Sequence, residues 1–397
     1  MPAIKYFIIG GGLTGDAACR GIRSVDPSSS IGMVSQEIYP PYSRPALSKG
    51  LWRGKPYERI WQNTAALNVD LYLGRTITEL DLANKRAIDD QKTVYTFEKL
   101  LLATGGTPRR LPFGKDDIIY FRTLADYEKL KKLSEERQNF VVIGGGFIGS
   151  EIAAALAMHN KHVTMVFPED GICARVFPQS MSIFLNDYYR QKGVEILPGS
   201  MITGIESHGG STTVKIRNQS SGAEREVIAD GVVAGVGIQP NIELAKAAGL
   251  GVENGILVDE NLRTSHPDVY AAGDVASFYS MVLKERMRVE HEDNALTMGM
   301  TAGKNMAGER TPYHHLPFFY SDLFDLGYEA VGELDARKEV VADWKEMHKK
   351  GVLYYMSGGQ VRGVLLWNVW DQVENARRVI AEPGPFTPAD LLNKIPM

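Results

Sequence analysis

The sequence predicts an α/β chain built on two βαβ units and closed by a smaller α+β domain. Two observations carry this. The segment Lys5-Tyr6-Phe7-Ile8-Ile9-Gly10-Gly11-Gly12-Leu13-Thr14-Gly15 recurs as Phe140-Val141-Val142-Ile143-Gly144-Gly145-Gly146-Phe147-Ile148-Gly149. After each turn the apolar residues fall at helical spacing: Leu13, Ala17, Ala18, Ile22 and Val25, then Ile148, Ile152, Ala153, Leu156 and Ala157. Each helix leads into another apolar run, Ile31–Val34 or Val163–Phe167. Strand, helix and returning strand imply parallel sheets covered by helices.

The remaining elements follow in order. Alternation marks Thr212–Arg217 and Glu226–Val233 as strands. Gly351–Met356 and Val361–Trp367, joined by Ser-Gly-Gly-Gln, read as a hairpin. Asp371–Ile380 reads as a helix, ended by Pro383, Pro385 and Pro388. From about Pro312 onward no nucleotide motif occurs, and this stretch is the α+β domain.

Composition excludes several classes. The chain has 397 residues, 44% hydrophobic and 23% charged, which is ordinary for a globular protein of two or three domains. A net charge of −4, with no basic cluster, argues against a nucleic-acid partner or an anionic membrane. No apolar run reaches the roughly 18 residues of a membrane span. Met1–Lys5 and the short run Tyr6–Ile9 do not form a signal peptide, so a cytoplasmic protein is expected. Cys19 and Cys173 are far apart and form no CxxC, so neither a redox dithiol nor a zinc site is signalled. Adjacent histidines on an extended chain point to opposite faces, and His314-His315 has no Cys or acid cluster nearby. The pair is structural, and no metal is expected.

Gly10-x-Gly12-x-x-Gly15 and Gly144-x-Gly146-x-x-Gly149 both fit the dinucleotide fingerprint of Rossmann-type domains. The first glycine permits the tight turn, the second lets a pyrophosphate approach the backbone, and the third lets helix and strand pack closely. Phosphate then meets unpaired N–H groups at the positive end of the helix. A lone match is weak, but both copies here follow a strand and open a helix. An acid at the end of the second strand holds the ribose hydroxyls in such domains. Glu169 stands there in the second domain, in Val166-Phe167-Pro168-Glu169, and a carboxylate there favours NADH over NADPH. Arg175 is close enough in sequence to accept a 2′-phosphate instead. In the first domain the register falls on Gln36, with Glu37 beside it, and either is a candidate for the ribose.

Further segments bring a family into view. Pro41-Tyr42-Ser43-Arg44-Pro45-Ala46-Leu47-Ser48-Lys49, Ala103-Thr104-Gly105-Gly106-Thr107-Pro108 and Val269-Tyr270-Ala271-Ala272-Gly273-Asp274 resemble the FAD-binding stations of the pyridine-nucleotide-dependent flavoprotein reductases. Within that group the chain is most similar to the apoptosis-inducing factor branch, with its ferredoxin and putidaredoxin reductases. Gly237-Ile238-Gln239-Pro240-Asn241, Val289-Glu290-His291, Tyr320-Ser321-Asp322 and Gly327-Tyr328-Glu329-Ala330 carry that closer likeness, which spans about residues 4–380.

The resemblance implies a glutathione-reductase-like layout: an FAD domain over 1–120 and 241–311, an NAD domain over 121–240, and the α+β domain over 312–397. It implies that FAD is held by Gly10, Gly12, Gly15, Gln36 or Glu37, Arg44, Lys49, Ala103, Thr104, Gly105, Gly273, Asp274, His291 and Tyr320. NAD is then held by Gly144, Gly146, Phe147, Ile148, Gly149, Glu151, Glu169 and Gly237. Asp274 takes the ribityl chain or pyrophosphate, Arg44 lies along the FAD phosphates, and Phe147 stacks near the nicotinamide. His291 opens a helix facing the flavin or nicotinamide. Lys49 and Glu151 form an ion pair by the flavin N5, where a lysine offsets the charge of reduced flavin and a buried lysine needs a carboxylate. Read alone, both are ordinary surface charges. Tyr320 departs from the family, which commonly carries tryptophan there.

The implied activity is that of an FAD-dependent NADH oxidoreductase whose electrons leave to an outside acceptor. The acceptor is a ferredoxin- or rubredoxin-type carrier, a quinone or dioxygen. The loop Tyr39–Gly50, where thiol-dependent relatives carry a redox cysteine, holds none. The alternative is a redox-switched interaction protein, in which a long-lived FADH2–NAD charge-transfer complex controls homodimerisation or partner binding.

Overall fold

The computed structural model of the chain describes residues 3–208 and 210–397. Met1 and Pro2, part of the stretch read above as lacking a signal peptide, lie outside the described residues. The chain divides into two units: Met1–Ser43, Pro56–Thr107 and Gln239–Phe319 form one, and Arg44–Lys55, Pro108–Ile238 and Tyr320–Met397 the other.

The first unit holds the first glycine turn. Its main sheet runs Val69–Leu73, Ile31–Ser35, Ala3–Ile9, Val94–Leu102, Arg86–Asp89 and Ile77–Asp81, with Val269–Ala271 also pairing to Val94–Leu102. Val69–Leu73, Ile31–Ser35, Ala3–Ile9, Val94–Leu102 and Val269–Ala271 are joined by parallel pairings, as a βαβ unit requires. Phe7, Ile8, Leu100, Leu101 and Val269 are fully buried in its core. The helices Leu13–Val25 and Glu292–Met306 cross backbone to backbone. A Cβ on Gly303 would stand 2.1 Å from the Ala18 carbonyl oxygen, so only glycine allows that approach.

The second unit holds the second turn. Its five-stranded sheet, Val194–Leu197, His162–Val166, Asn139–Ile143, Gly231–Ala234 and Ile118–Tyr120, is wholly parallel. The C-terminal sheet has five strands in the order Phe318–Leu323 (of which Phe318 and Phe319 count with the first unit), Leu326–Gly332, Gln360–Trp367, Lys350–Ser357 and Glu339–Glu346. Its last four strands run antiparallel. The hairpin read from sequence is there, with Gly358 and Gly359 at φ +58° and +74° in its turn.

Two expected elements differ. The helix expected over Asp371–Ile380 forms as Val373–Ala381, because Asp371 is left-handed (φ +61°) and cannot start it. The run Glu226–Val233 divides at Asp230. Asp230 Oδ2 accepts from the backbone N–H groups of Gln138 and Asn139 (3.1 and 2.8 Å). Glu224–Ala229 therefore pairs with Ser211–Asn218, and Gly231–Ala234 enters the parallel sheet. Alternation finds strands but does not reveal such a change of sheet.

Candidate active site

Both glycine turns are built the same way. Gly10 has φ +129°, and a Cβ there would lie 2.0 Å from the Ala103 carbonyl oxygen. A Cβ on Gly15 would lie 2.2 Å from the Gly10 carbonyl oxygen. In the second turn Gly144 (φ +108°) meets the Gly235 carbonyl oxygen at 2.5 Å, and Gly149 meets that of Gly144 at 1.9 Å. The middle glycines differ from all four: a Cβ on Gly12 or Gly146 would find nothing within 4 Å. Both have ordinary extended backbone, φ −94° and −82°, and neither helix start carries a side-chain cap. The fold itself asks for no glycine at these two positions. An open cradle beside uncapped N–H groups fits a pyrophosphate.

Around the first turn, the Ala103–Gly105 loop is pinned by Asn241. Asn241 Nδ2 donates to the Thr104 carbonyl (2.9 Å), and Thr104 Oγ1 donates to the Asn241 carbonyl (2.8 Å). Gly273, at φ +76°, backs onto Thr14, where a Cβ would lie 2.2 Å from Oγ1. The Asp274 carbonyl accepts from Arg288 at 2.9 Å. Gln36 is exposed, whereas the Glu37 carboxylate accepts from the Tyr42 hydroxyl at 2.5 Å. His291 is the residue that opens the Glu292–Met306 helix, as expected. Its ring lies flat on Phe319 (4.2 Å between centroids, 15°), and burial pushes its pKa down to about 4, so it is neutral near pH 7. Its neighbour Asp293 is engaged by His315 Nε2 at 2.5 Å, which accounts for one of the two adjacent histidines.

In the second unit Glu151 lies in the first turns of the Phe147–Met158 helix with 3% of its side chain exposed. A carboxylate buried so deeply is costly unless it is paired. Lys49 Nζ lies 2.7 Å from Oε1, the Ser321 hydroxyl donates to Oε1 at 2.5 Å, and the Ser48 hydroxyl donates to Oε2 at 2.6 Å. Lys49 Nζ also sits 5.3 Å from the centre of the Tyr320 ring. The segment presenting Ser48 and Lys49 is anchored by Trp52. Trp52 donates from Nε1 to the Leu47 carbonyl (2.8 Å) and packs edge-on against Tyr127 and His159. Arg44, in the same segment, donates to the Arg122 carbonyl at 2.9 Å. Phe147 is half-buried and inclined toward Tyr328, Ile148 is 39% exposed, and Gly237 is held through its carbonyl by the Arg109 N–H (2.9 Å).

Glu169 does not stand alone. Arg175 reaches its Oε1 through Nε (2.9 Å) and Nη2 (2.7 Å). Both cysteines are buried. Burial raises the Cys19 thiol far above its usual range and pushes Cys173 up to about 12, so both remain thiols at neutral pH. Among the described residues no cluster of His, Cys, Asp and Glu could hold a metal, and no helix is long and apolar enough to cross a membrane.

Comparison with known proteins decides the family. Residues 4–299 match the pyridine nucleotide-disulphide oxidoreductase family, and residues 302–349 and 336–382 match the C-terminal family of mitochondrion-associated apoptosis-inducing factor. The chain belongs to the pyridine nucleotide-disulphide oxidoreductase family. It is 33% identical over 417 residues to monodehydroascorbate reductase 3 of Arabidopsis thaliana, covering 96% of this chain and 93% of that protein. It is 31% identical over 392 residues to putidaredoxin reductase CamA of Pseudomonas putida, covering 96% and 92%. Putidaredoxin reductase in the crystal structure of its covalent complex with putidaredoxin superposes with a TM-score of 0.88 at 31% identity, over 97% of this chain and 95% of that one. The chain is an FAD- and NAD(H)-dependent oxidoreductase of this family.

Sequence reasoning overlooked Ser48 and Ser321 as site residues, although both lie inside quoted motifs. Nothing in a motif says that a serine flanking a lysine or a tyrosine will donate to a glutamate 103 or 170 positions away. Asn241 was likewise visible only as the end of a motif.

Proposed function

We propose that this chain is an NADH:acceptor oxidoreductase that passes electrons from NADH through FAD directly to an outside acceptor. The observation that carries the reading is the clamped Lys49–Glu151 pair, placed on the helix that the second glycine cradle opens. Bound there, FAD would supply the chemistry of accepting two electrons from a nicotinamide and giving them up singly or together. In this proposal the first cradle, with Ala103–Gly105, Gly273 and Asp274, binds FAD, and Gln36 rather than Glu37 takes its ribose. The second cradle, with Phe147, Glu169 and Gly237, binds NADH. Lys49 holds positive charge for the flavin, Glu151 keeps Lys49 in place, and His291 offers a neutral ring. With both thiols buried and protonated, no cysteine of this chain relays the electrons. Relatives named for putidaredoxin and for monodehydroascorbate support a small iron–sulfur carrier or a small organic radical as acceptor. The radical lies outside the acceptors expected from sequence. Rapid mixing tests the proposal: NADH should bleach the flavin, and a one-electron carrier should restore it quickly, equally in a Cys19→Ala, Cys173→Ala variant. Slow recovery with a change of oligomeric state would favour a redox-switched interaction protein. Loss of activity in the folded variant would refute direct transfer.

Donor choice follows from the Glu169–Arg175 pair. Arg175 is 83% exposed, and an exposed ion pair contributes only about 0–1 kcal/mol. It therefore opens readily, and Arg175 can turn to a 2′-phosphate. We expect NADH to be preferred, but only modestly. Arg175→Ala leaves Glu169 facing the phosphate, so the NADH/NADPH ratio of kcat/KM should rise on the order of tenfold. An unchanged ratio would remove Arg175 from donor discrimination.

A further inference from the structure

We infer that Ser321 is a positioning residue for the Lys49–Glu151 pair, an inference that rests on the part in the reaction proposed for that pair. Ser321 is 1% exposed, at a place where an apolar side chain would be the default. Its hydroxyl is not spent on its own backbone but donates to Glu151 Oε1 at 2.5 Å. That same oxygen meets Lys49 Nζ at 2.7 Å, while Ser48 holds Oε2 at 2.6 Å. With both oxygens held, the carboxylate has one orientation. Ser48 is the chain neighbour of Lys49 and would move with it. Ser321 comes from the C-terminal segment, so it alone of the two serines fixes Oε1 against something other than the lysine's own loop. Tyr320, the residue before it, places its ring 5.3 Å from Lys49 Nζ. Consecutive residues of the C-terminal segment thus grip both members of the ion pair.

The test compares wild type, Ser321→Ala and Ser321→Cys, each loaded with FAD. Cysteine keeps the shape of serine with a somewhat larger sulfur in place of the oxygen, and is a weak donor. The first readout is acetylation of Lys49 by an amine-reactive ester, measured by mass spectrometry against the other lysines. It should quicken several-fold in Ser321→Ala, with Ser321→Cys between. The second is flavin reduction at saturating NADH, expected to slow about tenfold in Ser321→Ala, the scale of one hydrogen bond to a charged group. The NADH concentration for half-maximal rate should hardly change. Unchanged acetylation, whatever the rate, overturns the inference. Faster acetylation with an unchanged rate upholds Ser321 as the positioning residue and instead removes the ion pair from the reaction.

Discussion

Lys49→Ala is expected to slow reduction of the bound flavin by NADH on the order of a hundredfold, while FAD stays bound. The size is that of removing one preorganised charged group from a site where charge develops. Lys49 is fixed for such a role: its ammonium is held at 2.7 Å by a carboxylate that two serines hold in turn. The same variant should also unfold more easily, because it strands Glu151 at 3% exposure. Breaking a buried pair by removing one partner costs roughly 3–5 kcal/mol. The loss should fall at or below the low end, since Ser48 and Ser321 still donate and Lys49 itself is 13% exposed. Stopped-flow reduction, the FAD-to-protein ratio and the flavin potential together check this. Wild-type rate and potential in Lys49→Ala would leave the pair a purely structural feature.

Local chemistry decided what the sequence could tell. A glycine turn between an apolar strand and an amphipathic helix is a short-range pattern, so both βαβ units and their parallel sheets are legible in the sequence. The C-terminal hairpin was legible for the same reason. What escaped depends on partners distant in sequence. Asp230 switches the chain between two sheets by accepting from Gln138 and Asn139, some 90 residues earlier. Arg175 alters the meaning of Glu169 by pairing with it, which spacing alone raised only as an option. The resemblance, not the pattern, brought Lys49 and Glu151 together. The structure joins them, and adds the two serines that complete the shell of the carboxylate.

Gly12→Ala and Gly146→Ala are expected to divide the two nucleotides between the two turns. The other cradle glycines cannot be probed this way. Gly10, Gly15, Gly144 and Gly149 have no room for a Cβ, so their replacement would disturb the turn itself. At Gly12 and Gly146 an added Cβ meets nothing within 4 Å, and the backbone is extended and unstrained for alanine. The protein should lose no more than about 1 kcal/mol, the cost of alanine in place of glycine before a helix. Any larger effect must come from a ligand that needs the empty space, as a pyrophosphate drawn onto the helix N–H groups would.

The FAD-to-protein ratio and the NADH KM of these two variants, with thermal melts of the apoproteins alongside, test this division of the nucleotides directly. Gly12→Ala should melt like wild type and lose most of its FAD on purification. Gly146→Ala should also melt like wild type and keep one FAD per chain, while its NADH KM rises on the order of tenfold or more. If both variants keep full FAD and an unchanged NADH KM, the two glycine turns are not the places where this chain holds its nucleotides.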